Sequence, residues 1–180
     1  MDIKKLANSV LNFALKRLIE IAGIIIFIIG ILLFISLISY SPEDPNFIFS
    51  ENTNINNFLG YQGSYISDLF FQSIGIISYL VPLTFLITGF NIFKRKNIFL
   101  LFENTFFIVI YSMIGSSFFN FYYTEAFELY INGNGGFVGN YINQLFLGNI
   151  ISINENIFYY SFIILIFILF LFSINFQIKN

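Results

Sequence analysis

A chain of 180 residues with 57% apolar residues, 10% charged residues and a mean hydropathy of +0.81 is too apolar for a soluble domain, where charge runs at about 25%. His and Cys are both absent, which excludes thiolate nucleophiles, imidazole bases, disulfides and the usual zinc and haem ligand sets together. The net charge of -2 says less than the placement of the charges. Lys4, Lys5, Lys16 and Arg17 precede the first apolar run, Lys94, Arg95 and Lys96 lie between the second and third, and Lys179 follows the fourth. The two other connecting segments carry only acids: Glu43, Asp44 and Glu51 in one, Glu125, Glu128 and Glu155 in the other. Because Lys and Arg are held on the cytoplasmic side during insertion, this separation predicts an all-α integral membrane fold that crosses the bilayer four times with both ends in the cytoplasm. The lipid bilayer is then its first partner, and no basic stripe predicts direct contact with nucleic acid.

A hydrocarbon core about 30 Å thick takes about 20 residues of helix, and four segments supply them. The first, residues 18–40, exceeds the roughly 7 to 15 residues of a signal h-region and lacks a small-x-small cleavage site, so it reads as a retained anchor. Arg17 and Glu20 stand at i,i+3 on its inner boundary, where they can pair. Tyr40-Ser41-Pro42-Glu43-Asp44-Pro45 then stops the helix, because two prolines cannot continue it and hold a rigid turn at the outer surface. Two adjacent acids without further ligands do not make a metal site. A polar stretch rich in Asn, Ser and Gly follows as an external loop. The second span, residues 67–93, contains Pro82, which predicts a kink. Lys94 to Asn97 allows only a tight turn, so the second span and the third, residues 98–122, are expected to be antiparallel neighbours.

Gly133, Gly135, Gly136 and Gly139 come next; with no following Lys they read as turn and close-packing residues rather than a phosphate loop. Residues 137–151 are apolar but interrupted by Asn140, Asn143 and Asn149, which predicts a helix lying in the outer interface. A fifth crossing there would carry Lys179 outside, against the charge rule. The fourth span covers residues 156–176. Tyr40, Tyr122, Tyr123, Tyr159 and Tyr160 fall where an aromatic belt belongs.

Ionisable residues near mid-span would announce a transport path, and the spans carry none there: Glu20, Asp68 and Glu103 all lie close to an end. Asp68 comes nearest to an exception, so a small oligomeric channel or transporter is the alternative reading, against an interfacial carboxylate as the plain one. Gly23, Gly30, Gly75, Ser78, Gly89, Gly115, Ser116 and Ser117 are small residues inside the spans; they either form packing faces or are scattered. The excess of Phe, Ile, Asn and Tyr reads most simply as drift toward AT-rich codons. No catalytic, cofactor or metal site is expected.

The ordered set of Arg17 to Gly23, Ser39-Tyr40-Ser41-Pro42, Asp44-Pro45, Gly60 and Gly63, Asp68-Leu69-Phe70, Gly75, Tyr79-Leu80, Pro82, Gly89, Lys94-Arg95, and Gly135, Gly136 and Gly139 resembles the N-terminal membrane domain of FtsK/SpoIIIE-type DNA translocases. Phe47 stands close to where that family often has Trp, and Asn91 where a basic or aromatic residue is common. The resemblance implies a four-span anchor in the bacterial inner membrane, targeted to the division septum. It also implies contacts with division-septum membrane proteins and self-association as a homo-oligomer. In the family a linker and a cytoplasmic ATP-driven motor follow the anchor, so ATP hydrolysis and DNA translocation are expected outside these 180 residues. The implied outer contact surface is Tyr40, Pro42, Asp44 and Pro45, with Gly135, Gly136 and Gly139 as structural supports.

Overall fold

The computed structural model describes residues 3–45, 54–124 and 132–176; Phe47, Glu51, Glu125, Glu128 and Lys179 lie outside them. Within the described residues all regular secondary structure is helical, and four helical stretches are long and apolar enough to cross a membrane. Helix α1 runs from Ile3–Ile38, starting 15 residues ahead of the apolar run at Leu18. No Gly or Pro occurs before Gly23, so nothing in the basic N-terminal segment stops the helix from propagating outward from the span.

The second crossing is two helices rather than one. Helix α2, Gly60–Ile74, ends at Gly75, whose φ of 70° and ψ of -148° suit glycine alone. A 3₁₀ turn, Gly75–Tyr79, then leads into α3, Leu80–Arg95. The expected kink at Pro82 is therefore corrected. Pro82 is the third residue of α3, in a first turn whose N–H groups have no intrahelical acceptor, so its missing donor costs little. The break at Gly75 is repaired mainly from outside: Ile76 N donates to Asn134 O at 3.0 Å and Ser116 Oγ to Ile74 O at 2.8 Å, while within the turn Ser78 Oγ donates to Gly75 O. The turn and α3 together rise about 34 Å, enough for the hydrocarbon core without α2.

Lys96 closes α3 in the left-handed conformation (φ 56°) with its N–H on Ile92 O at 2.8 Å. Helix α4 follows at Phe99–Tyr122. Next come α5, Gly136–Ile142, a π turn, Asn143–Leu147, and α6, Gly148–Ile151. This run is too short to cross a bilayer. Helix α7, Glu155–Ser173, is capped by Asn154, whose Oδ1 accepts from Ile157 N at 3.3 Å.

The small residues make faces within the chain. Helix α3 packs most extensively on α1 rather than on α4. The contact is backbone to backbone: a Cβ on Gly89 would sit 2.5 Å from Phe27 N, and one on Gly23 2.7 Å from Phe93 N. Further along α1 lies a core of Leu33, Leu37, Phe71, Ile77, Val81, Ile108 and Tyr111. Helix α7 packs mainly on α4 and stands off α3, leaving an apolar cleft of about 490 Å³ lined by Ile77, Leu80, Phe119, Ile166 and Phe170. The two are joined instead by polar contacts at the C-terminal end of α7. Thr84 Oγ1 lies 3.0 Å from Ser173 Oγ and 3.2 Å from Tyr111 OH, and Asn104 Nδ2 donates to Thr88 Oγ1 at 2.7 Å and Asn175 Oδ1 at 3.0 Å.

The bundle thus has a basic end and an acidic end. At the basic end Glu20 accepts from Arg17 at 2.5 Å and from Lys96 at 2.7 Å, tying α1 to the α3–α4 turn. The Arg17 pairing follows from spacing; the Lys96 pairing depends on the packing of α1 against α3.

Candidate functional site at the acidic end

The loop after α1 is held down by its own side chains. Pro42 and Glu43 face outward, whereas Asp44 is 3% exposed and Pro45 fully buried. The two oxygens of Asp44 each accept one backbone amide, Asn56 N and Asn57 N, both at 2.8 Å. A carboxylate in this position closes the loop on itself, because the buried Asn57 amide would otherwise be left without an acceptor. Pro45 O accepts from Ser64 Oγ at 2.6 Å, joining the same loop to α2. Of the four residues expected to form an outer surface, then, the fold turns Asp44 and Pro45 inward as loop supports. It leaves Pro42 outside and Tyr40 half-buried, with its ring 4.7 Å from Phe71 and its hydroxyl donating to Asp68 Oδ1 at 3.4 Å.

Asn57 is the centre of this layer. Its Nδ2 donates to Ser36 O at 2.9 Å and Ser39 O at 3.2 Å, satisfying carbonyls in the last turn of α1, while its Oδ1 accepts from Leu59 N at 3.1 Å. Ser36 Oγ donates to Gly63 O at 2.6 Å, and Ser39 Oγ accepts from Phe58 N at 3.1 Å. Helix α2 thereby lies across the outer turns of α1, Gly63 meeting Ser36 and Phe71 meeting Tyr40. Asp68, buried on α2, also accepts from Gln72 Nε2 at 3.4 Å. It belongs to this end layer and not to the middle of a span.

The glycines of the second connection are placed by the same logic. A Cβ on Gly135 or Gly139 would fall on the Ser116 carbonyl oxygen of α4. Gly136, at φ +63°, presses against the backbone at Ile74 and Gly75. Asn143 locks the helix in register: its Nδ2 donates to Ser117 O and Asn120 Oδ1, both at 2.9 Å, and its Oδ1 accepts from Ser117 Oγ. Asn134 is 1% exposed and donates to Tyr123 O. Tyr123 OH and Tyr159 OH meet at 2.7 Å beside Phe118, and Tyr122 OH donates to Glu155 O at 2.7 Å, so the interfacial tyrosines join α4 to α7.

Sequence reasoning passed over Asn57, Asn104 and Asn134 as compositional excess, and read Asn143 only as an interruption of an apolar run. The available signal was position: Asn104 falls inside an apolar run, where an amide needs a partner, and Asn134 adjoins Gly135, which marks a close approach; Asn57 carried no such signal.

The arrangement, four apolar helical stretches capped at one end by a glycine-dependent layer, coincides with a known family. The family of the 4TM region of DNA translocase FtsK/SpoIIIE matches residues 15–179. The chain belongs to this family. The match to the FtsK/SpoIIIE 4TM region runs through both acidic connections as well as the spans. The DNA translocase FtsK of Rickettsia prowazekii (strain Madrid E) is 30% identical over 139 residues, 71% of this chain and 18% of the relative. That of Rickettsia bellii (strain RML369-C) is 35% identical over 77 residues, 43% of this chain and 10% of the relative. That of Shewanella oneidensis is 31% identical over 147 residues, 78% and 16%. The chain therefore spans less than a fifth of the length of these relatives. No solved structure matches it.

Proposed function

We propose that this chain is the membrane anchor and assembly module of a DNA translocase acting at the division septum. Both ends lie in the cytoplasm, and the acidic-end layer faces outward as the contact surface for division-septum membrane proteins. The observation that carries the reading is the family match across 15–179 on a chain whose only basic residues stand at one end of its bundle or beyond its last span. ATP hydrolysis and DNA translocation belong to the motor that the relatives' name implies, and this chain touches no nucleic acid itself. Its contribution is to hold attached motors in the membrane at high local concentration.

The exposed part of the layer is the surface available to a partner. Pro42 and Glu43 lead it, since Asp44 and Pro45 are occupied in holding the loop. A fluorescent fusion at the C-terminus should form a midcell band in dividing cells. Pro42→Ala with Glu43→Ala should weaken that band at unchanged membrane content. Uniform membrane fluorescence of the parent fusion would refute septal anchoring.

A further inference from the structure

Helix α2 is inside out. Its buried face is the polar one, with Gly63, Ser64, Ser67 and Asp68 turned inward beside Phe71. Its exposed face carries Tyr61, Ile66 and Leu69, the last 64% exposed, with Tyr65 and Phe70 half-buried next to them and Gln62 as the exception. A helix at a water-facing surface has the reverse pattern, because water solvates hydroxyl and carboxylate groups and not leucine. The inward polar groups are satisfied within the protein. Ser64 Oγ donates to Pro45 O, Ser67 Oγ to Gly63 O at 2.9 Å, and Ser36 Oγ to the same Gly63 carbonyl. On the outer side the Tyr61 and Tyr65 hydroxyls meet each other at 2.7 Å. Internal pairing of this kind is what a segment bounded by hydrocarbon requires.

Depth points the same way. Glu20, with its two basic partners, marks where α1 enters the hydrocarbon at the basic end. At about 1.5 Å a residue, Ser36 stands about 24 Å further along α1 and Tyr40 about 30 Å, both within a core about 30 Å thick. Gly63 is bonded to Ser36, and Phe71 packs on the Tyr40 ring, so α2 slants through the last stretch of the core with its Gly63 end the deeper. Its exposed face is also continuous with the surface of the spans. Leu59, Ile66 and Leu69 line one groove of about 500 Å³ together with Ile29 and Leu32 of α1 and Phe85 of α3. Ile29 and Leu32 are exposed span positions, where lipid is the surrounding solvent.

We infer that acyl chains of the acidic-end leaflet fill this groove and cover the exposed face of α2. The chain leaves the core at Tyr40, is back at the level of Ser36 by Asn57, runs outward again along α2 and only then crosses as α3. The occupant is lipid rather than protein because the face extends a surface that lipid already covers, and because the polar groups of α2 are turned away from it. The surface left for a protein partner is the loop at Pro42 and Glu43. This inference narrows the contact surface proposed above, and it rests on the membrane crossings and not on septal anchoring.

The chain has no Trp, so a single Trp reports its surroundings without background. In the full chain reconstituted into phosphatidylcholine vesicles with brominated acyl chains, Ile66→Trp and Leu69→Trp should be quenched to within about two-fold of Ile28→Trp, an exposed mid-span position. Pro42→Trp should hardly be quenched. Bromines near the headgroup end of the chain should quench Leu69→Trp more than bromines near its tip, and Ile28→Trp should show the reverse. Aqueous iodide should quench Pro42→Trp and spare both α2 positions. Iodide quenching of Ile66→Trp and Leu69→Trp at the level of Pro42→Trp would overturn the inference, because it would put α2 in water. Protection from both quenchers would overturn it too, since a protein surface would then cover the face. Loss of bromine quenching at Ile28→Trp as well would sink the crossing itself. Midcell imaging tests septal anchoring separately: uniform fluorescence with lipid-quenched α2 positions would refute that reading and leave this inference standing.

Discussion

Asp44 and Asn104 are both buried polar side chains, and their surroundings give them different weight. Asp44 satisfies two backbone amides with two oxygens, so Asp44→Ala removes both acceptors and strands the buried amide of Asn57. We expect a loss of about 2 kcal/mol or more, read as a lower thermal midpoint in detergent and faster proteolysis of the loop. Asn104 donates to Thr88 and Asn175, but its own Oδ1 has no partner. Hydrogen bonds between membrane helices are worth about 0.6 kcal/mol on average, so Asn104→Leu should cost under about 1 kcal/mol by the same measurement. A result in which Asn104→Leu costs more than Asp44→Ala would reverse this ordering. Neither environment could be read from residue type. The Asp44 string was legible as a turn, but that its carboxylate points inward depends on Asn56 and Asn57, 12 and 13 residues away.

At the level of elements, the second crossing shows how a local rule and a tertiary contact compete. Proline is the stronger helix breaker in general, yet the chain breaks at Gly75, where positive φ is accessible and Asn134 and Ser116 supply the missing partners. Pro82→Ala should therefore be mild, about 1 kcal/mol, because only buried ring area is lost. Gly75→Ala meets an unfavourable φ and places its Cβ on the Asn134 carbonyl, so it should unfold the acidic-end layer as judged by amide exchange in residues 60–79. Equal exchange in the two variants would put the break back at Pro82. The π turn at Asn143 has a comparable cause, since Asn143 is held by Ser117 and Asn120 and the helix widens to keep it there. Helix α7 shows the opposite case, an element with little burial, fixed by Tyr123–Tyr159 at one end and Ser173–Thr84 at the other.

For the whole molecule, orientation and packing are separable. The charge rule predicts that Asn97→Cys, in the turn beside Lys96, stays unlabelled by a membrane-impermeant maleimide in intact cells, whereas Pro42→Cys is labelled. Both positions are exposed, so burial would not mimic the result. Labelling of Asn97→Cys and not of Pro42→Cys would invert the molecule. The ion pair of Glu20 with Lys96 is compatible with either orientation, because it reports only that two basic segments share one end.

Hydrophobic length and the partition of charge made the class, the number of spans and their expected orientation readable from the chain alone, because both act locally on insertion and need no tertiary partner. The ordered glycines and prolines made the family readable for a related reason: each marks a backbone requirement at its own position. What the tertiary structure alone decided was which polar atoms meet. The Asp44 clasp, the Asn57 and Asn143 locks, the Gly23–Gly89 crossing and the repaired break at Gly75 join segments far apart in sequence. Their partners are backbone groups, which look identical at every position until the fold brings one of them within reach.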